Sequence, residues 1–235
     1  ATLTPVNMFI TVDKSGSMAN DGKWDATKAA FTAFFQDPSA SSLKVALRFW
    51  PDEGCDGIDC NVDACATPQV DLDVLSNVAH QQALIAEFES KTPDGSTPMS
   101  AALEGAVQWA TALQAQLTQE ERIVIILVTD GEPHDCNEDI GYIASGAGDG
   151  WTQSASPTFV VGLPLPHPVG RGFVDKCTPL LVDLGGRFPE VQYFFSYPPI
   201  DFYAWARVRD GRLVRAFAVT DEGIVWNKGR TTKEE

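Results

Sequence analysis

The chain has 235 residues, of which 44% are hydrophobic and 21% are charged, and its formal net charge is −15. This composition is that of a globular protein with enough residues to bury a core, as one large domain or as two small ones. The negative charge argues against nucleic acid and anionic membranes as partners, and no apolar run reaches the about 18 to 20 residues that a transmembrane helix needs.

The first predicted element is a buried strand that ends in oxygen-bearing side chains. Residues 6–12 form a mostly apolar run, which is typical of a parallel strand covered on both faces. Asp13, Ser15 and Ser17 follow at alternate positions, and Gly16 lets the backbone turn between the two hydroxyls. Oxygen ligands at the carboxyl end of such a strand suit a hard cation such as Mg²⁺. Asp and Ser also serve as turn residues and helix caps, so this motif alone is weak.

Helices and strands alternate over the next hundred residues. We predict a helix over 24–35, a strand over 43–50, a short edge strand over 70–72 and a helix from residue 78 that Pro93 ends. A loop carrying Thr97 then precedes a long amphipathic helix, whose apolar residues recur with the helical period from 103 to 117.

A second buried strand over 123–129 ends directly before Asp130. Parallel strands in one sheet end at the same edge, so three separate loops are expected to meet there. The predicted metal ligands are Asp13, Ser15, Ser17, Thr97 and Asp130. The alternative is capping and turn chemistry at all three places.

The pattern weakens beyond Asp130. Residues 137–151 contain several glycines and predict at best a short helix, followed by a strand over 158–163. A last helix is expected over 173–184, kinked or shortened by Pro179.

The residues from 187 onward differ in charge and pattern. The first 186 residues carry 9 basic and 25 acidic side chains (9 − 25 = −16), whereas the rest carry 8 and 7 (8 − 7 = +1). Two alternating runs flank Asp210-Gly211, a strong hairpin signal, and a third strand over 224–226 completes a β-meander. Its alternating arginines are interpreted as a solvated face. We therefore expect a domain over 1–186, with a cysteine-bearing insertion over 51–70, and a β-rich tail over 187–235.

Over residues 1 to 163 the chain resembles a von Willebrand factor A-type domain with a metal-ion-dependent adhesion site. The resemblance rests on three motifs, which are the runs 13–17 (Asp-Lys-Ser-Gly-Ser), 95–98 (Gly-Ser-Thr-Pro) and 129–131 (Thr-Asp-Gly). It implies an α/β fold with a doubly wound, mostly parallel sheet flanked by helices. By analogy Ser15, Ser17 and Thr97 contact Mg²⁺, or Mn²⁺, through their hydroxyls, and Asp13 and Asp130 hold metal-bound water.

The same resemblance implies a protein partner, whose Asp or Glu carboxylate fills the remaining metal position. The run 49–55, with the cysteines that follow, resembles the variant found in secreted or lipid-anchored myxobacterial proteins. Residues 203–235 instead resemble the end of small uncharacterised bacterial proteins.

Five cysteines indicate an oxidising compartment. Cys55, Cys60 and Cys65 lie in a short segment too poor in apolar residues to hold its own shape, and Cys136 follows the Asp130 loop. We expect these four to form two disulfides, with Cys177 free; the pairing is open. The alternatives are a zinc site that includes His134 and, less in keeping with the spacing, a Ca²⁺ loop from Asp52, Asp56, Asp59 and Asp63. We expect the protein to be secreted or to lie at the cell surface. A lipid-anchored protein and a periplasmic protein are included in this expectation.

Two function classes remain. One is a non-catalytic, Mg²⁺-dependent protein-binding module. The other is a hydrolase or phosphoryl-transfer enzyme that uses the same oxygen cluster. An enzyme needs a base or nucleophile beside the metal, and of the three histidines only His134 is near a metal loop in sequence. The sequence therefore favours the binding module.

Overall fold

A computed structural model of the chain describes residues 5–117, 121–162, 186, 190–197, 202–220 and 223–229. The chain divides into two compact units, Ala1–Val160 and Val161–Glu235. The helices are α1 (Lys23–Gln36), α2 (Val62–Cys65), α3 (Val78–Ser90), α4 (Met99–Gln114) and α5 (Ile140–Ser154). The strands are β1 (Val6–Asp13), β2 (Lys44–Trp50), β3 (Val70–Val74), β4 (Arg122–Thr129), β5 (Thr158–Gly162), β6 (Glu190–Tyr197), β7 (Phe202–Arg209), β8 (Arg212–Thr220) and β9 (Gly223–Gly229).

The first sheet has the strand order β3-β2-β1-β4-β5. Strand β1 lies at its centre and is parallel to both β2 and β4, whereas β3 pairs antiparallel with β2. Asp13 is opposite Trp50 in this register, and Val12 is opposite Val128. The ends of β1, β2 and β4 therefore lie at one edge of the sheet.

Helices cover both faces of this sheet because its central strands are apolar on both sides. On one face Phe49 packs edge-to-face on Phe88 of α3, with ring centroids 4.7 Å apart, and on Trp24 of α1. On the other face Phe9 contacts Trp109 of α4 at 4.7 Å. The predicted α/β class with a doubly wound, mostly parallel sheet is confirmed.

Helix α5 is longer than the sequence predicted, since the expectation of at best a short helix over 137–151 is wrong. The helix has 15 residues and begins at a cap in which the Asp139 carboxylate accepts a hydrogen bond from the Tyr142 N–H, at 2.6 Å. Ile143 and Ala144 are buried, and Ile143 belongs to the same core cluster as α4. Packing of this face outweighs the low helix propensity of the glycines.

The second sheet is an antiparallel meander in the order β6-β7-β8-β9. Asp210 and Gly211 join β7 to β8 with φ values of 48° and 70°, the positive values that a tight two-residue hairpin turn requires. The predicted meander is confirmed, with four strands and a longer last strand. The predicted helix over 173–184 lies outside the described residues.

One arginine contradicts the interpretation of a fully solvated arginine face. Arg209 and Arg212 are exposed, but Arg215 is only 1% exposed. Its guanidinium donates to the Ala216 and Lys228 carbonyls at 2.9 Å and to the Asn227 side chain at 2.7 Å. These acceptors make burial of the charge possible, and alternation in sequence could not reveal them.

Candidate metal centre

Four of the five predicted ligands form one chain of hydrogen bonds at the edge of the first sheet. The Asp13 carboxylate, at the end of β1, accepts from the Ser15 N–H at 2.7 Å. The Ser15 and Ser17 hydroxyl oxygens lie 3.1 Å apart, and the Ser17 hydroxyl donates to Asp130 Oδ1 at 2.7 Å. Two loops from neighbouring strands thus place two carboxylates and two hydroxyls side by side.

Thr97 lies on a third loop, which backbone hydrogen bonds attach to the other two. The Gly16 N–H donates to the Gly95 carbonyl at 3.0 Å, and the Asp94 N–H donates to the Lys14 carbonyl at 2.7 Å. Thr97 exchanges two backbone hydrogen bonds with His134, at 3.2 and 2.9 Å. The positions of the three loops are therefore fixed by the protein backbone itself.

Gly95 is required where this loop meets the start of the cysteine insertion. Its φ is +86°, and a side chain there would come within 2.8 Å of the Pro51 ring. A larger residue would be strained in conformation and would also displace either the loop or Pro51.

The donor set suits Mg²⁺. Asp13, Ser15, Thr97 and Asp130 are all buried, and the groups that they offer are carboxylate and hydroxyl oxygens. Such oxygens are the ligands that Mg²⁺ prefers, and Mg²⁺ keeps several waters in sites with few protein ligands. The residue types at the sheet edge therefore fit a hard divalent cation such as Mg²⁺ by their chemistry.

Two further residues of this cluster were missed by the sequence reasoning. The Thr129 hydroxyl donates to Asp13 Oδ2 at 2.7 Å, so both oxygens of Asp13 are held. Lys23, the first residue of α1, forms an ion pair with Asp130 Oδ2. Thr129 lies within the Thr-Asp-Gly motif and could have been considered, but nothing in the sequence marks Lys23, because lysine is usually a surface residue.

Burial raises the pKa of Asp13 to about 6 from its ordinary value of 3.8, against the effect of the hydrogen bonds from Ser15 and Thr129. The nearby Asp130 carboxylate raises it further. The folded chain therefore holds this proton more tightly than the unfolded chain does.

This shift predicts a pH dependence of stability. As the pH rises through the two pKa values, Asp13 ionises first in the unfolded chain. Its contribution to the free energy of unfolding therefore falls, by about 3 kcal/mol in total between about pH 3 and about pH 7. Urea unfolding in chelator should show this loss in the wild type, and Asp13→Asn should lack it. An equal pH dependence in both proteins would contradict the shift.

Two disulfides join the four cysteines named above. Cys55 pairs with Cys65 inside the insertion, and Cys60 pairs with Cys136, which follows β4. These bonds exclude the zinc alternative for the four sulfurs.

Cys177 lies outside the described residues, and it stays a prediction that it is free. Thiol labelling of the unreduced chain in denaturant should then find one thiol per chain; three or more would contradict the pairing.

The alternative Ca²⁺ loop is not supported by the contacts of its aspartates. The Asp52 carboxylate accepts a hydrogen bond from the Gln69 side chain at 2.8 Å and forms an ion pair with the Lys91 ammonium at 2.6 Å. Asp63 instead accepts from Gln108 at 2.7 Å. Asp52 and Asp63 are thus each engaged by other side chains of the protein.

Another group of ionisable residues lies in the loop after Asp130. The potential ligand atoms of His134, Asp135 and Glu138 all lie within 4.8 Å of one another. The Glu138 carboxylate accepts from the Asp135 N–H at 2.9 Å and lies 3.4 Å from His134 Nδ1. The His134 and Glu138 side chains are exposed, and these contacts account for the grouping as a loop structure.

No protein-family model matches the chain, and no curated protein matches it. Among solved structures, the pilus adhesin SpaC from Lactobacillus rhamnosus GG is 14% identical over 97% of this chain, with a TM-score of 0.54. Its open conformation is 13% identical over 97%, with a TM-score of 0.51. Proximal thread matrix protein 1 from the mussel byssus is 11% identical over 81% of this chain and 49% of its own, with a TM-score of 0.45.

At these identities the similarity to SpaC is one of fold. This chain spans 38% of the SpaC chain. Among the described residues, none of the helices has the length and apolar character that crossing a membrane requires.

Proposed function

We propose that the chain is a Mg²⁺-dependent protein-binding module of the von Willebrand factor A type, in which a partner's carboxylate completes the metal site. The observation that carries this proposal is the hydrogen-bonded chain from Asp13 through Ser15 and Ser17 to Asp130. Ser15, Ser17 and Thr97 would offer hydroxyls to the ion, and Asp13 and Asp130 would hold its water. We propose that this site belongs to a domain over residues 1–186, which includes the whole compact unit Ala1–Val160, and that residues 187–235 form the tail.

A binding role is favoured over an enzyme because the described site lacks a free base. The Lys23 ammonium is engaged by Asp130. His134 approaches the site through its backbone, and its side chain is 73% exposed and lies against Glu138. General base catalysis needs a base within hydrogen-bond reach of the reacting group. SpaC is a pilus adhesin by name, but that similarity extends to the fold alone.

The segments beside the metal loops are acidic, and this indicates the charge that a partner's surface would carry. The insertion over 51–70 contains five acidic and no basic residues, and the loop over 131–139 contains four acidic residues and no Lys or Arg. The Cys60–Cys136 disulfide links these two segments. A partner that brings a carboxylate to the metal would therefore surround it with Lys or Arg side chains.

Two disulfides support a location outside the cytosol, because such bonds persist in oxidising compartments. A secreted, surface-attached or periplasmic protein fits this observation.

The proposal can be tested by affinity capture with the immobilised full chain. Surface and culture fractions of the source organism would be applied in Mg²⁺ and eluted with chelator, with the Asp13→Asn variant as the control surface. We expect a protein that the wild type retains in Mg²⁺ and releases in chelator, and that the variant does not retain. Retention that is equal with and without Mg²⁺ would contradict the proposal, as would Mg²⁺-dependent turnover of a phosphate ester.

A further inference from the structure

Lys23 places an ammonium group inside the candidate metal centre. Its side chain is 5% exposed, and the Asp130 side chain with which it pairs is fully buried. Lysine is almost never buried to this extent unless it is paired. The segment Gly16–Gly22 connects the serine motif directly to α1, so Lys23 enters the site from the same loop as Ser17.

Within the described part of the chain, Lys23 is the single cation that pairs with either of the two carboxylates, and it pairs with Asp130. Asp13 accepts only from Ser15 and Thr129, whereas Asp130 accepts from Ser17 and Lys23. The two carboxylates and the ammonium together have a net charge of −1. With Mg²⁺ added, the same groups have a net charge of +1, which one carboxylate from outside would neutralise.

We propose that Lys23 sets the ligand preference of the metal centre: it competes with Mg²⁺ for Asp130 and leaves the loaded centre with a positive charge that favours an anionic ligand. This inference rests on the proposed function. The ammonium is covalently part of the protein, so it cannot diffuse away when a metal ion binds. Its positive charge therefore weakens the binding of a cation, and it strengthens the binding of a carboxylate once the cation is present. Metal and carboxylate then increase each other's affinity by the same factor.

The test is calorimetric titration of full-length variants with Mg²⁺. Lys23→Gln keeps a hydrogen-bond donor for Asp130 and removes the charge, whereas Lys23→Arg keeps the charge. Lys28→Gln is the matched control, because Lys28 is on the same helix but pairs with Asp25 and Glu89 away from the metal loops, at 3.7 and 3.6 Å. We expect Lys23→Gln to bind Mg²⁺ at least about tenfold more tightly, or about 1.4 kcal/mol, and the other two variants to match the wild type.

If the wild type binds Mg²⁺ but Lys23→Gln binds it equally or more weakly, this inference is overturned and the proposed function is not. A wild type that binds no Mg²⁺ would instead overturn the proposed function. Circular dichroism would check folding, and Lys23→Met, which keeps the length of the side chain without its charge, would replace Lys23→Gln if that variant does not fold.

A second measurement needs only the wild type and one neutral variant. Mn²⁺ titrations in acetate and in chloride would report how much a free carboxylate strengthens metal binding. We expect acetate to tighten Mn²⁺ binding in the wild type, and to do so less in Lys23→Gln. No effect of acetate on the wild type, or an equal effect on both proteins, would overturn the assignment of Lys23.

Discussion

Asp13→Asn and Asp130→Asn are each expected to weaken Mg²⁺ binding by about 10- to 100-fold. This is the usual effect of changing a side chain that hydrogen-bonds to the ligands of a metal ion. The amide keeps the shape of the side chain but removes one of the two buried carboxylate charges that the described residues bring to this site. Calorimetric titration of the full-length chain would measure the change.

The matched control for this prediction is Asp94→Asn. Asp94 is on the Thr97 loop, but its carboxylate is exposed and accepts from the Gly95 N–H at 2.8 Å, so its charge is not part of the cluster. We expect near wild-type affinity from this variant. A loss of affinity in Asp94→Asn equal to that in Asp13→Asn would show a general charge effect and would contradict the assignment.

Removal of the Cys60–Cys136 disulfide is expected to lower the free energy of unfolding by about 4 kcal/mol, since the bond constrains a long loop of the unfolded chain. The two cysteines are 76 positions apart in sequence. Cys60→Ala, Cys136→Ala and the double variant should therefore lose similar amounts, because either single change already breaks the bond. Denaturant unfolding without reductant would measure all three.

The Cys55–Cys65 bond provides the comparison for this series. It is a separate bond that spans 10 positions. Combining Cys55→Ala with Cys60→Ala removes a second bond, so the double variant should be less stable than the Cys60→Ala variant. Losses that add for Cys60 and Cys136 would contradict the pairing, because two cysteines of one bond cannot each contribute the full loss.

The strand ends could be predicted from sequence because their signals are local. Strands β1 and β4 are apolar on both faces, and Asp13 and Asp130 lie at their carboxyl ends, so a parallel sheet brings the two residues to one edge. The hairpin at Asp210-Gly211 is equally local, since those residue types tolerate the positive φ of the turn.

The rest of the site depends on contacts between segments far apart in sequence. Lys23 and Asp130 are 107 positions apart, and no periodicity links them. The backbone pairing of Thr97 with His134 joins two loops that each look irregular in sequence. The burial of Arg215 likewise depends on acceptors from the neighbouring strand β9.

Anomalous diffraction from Mn²⁺-soaked crystals of the full-length chain would locate the metal ion and identify its ligands. We expect a Mn²⁺ peak at the ends of β1 and β4, in contact with the hydroxyls of Ser15, Ser17 and Thr97. A peak at His134, Asp135 and Glu138, with none at the strand ends, would contradict this expectation.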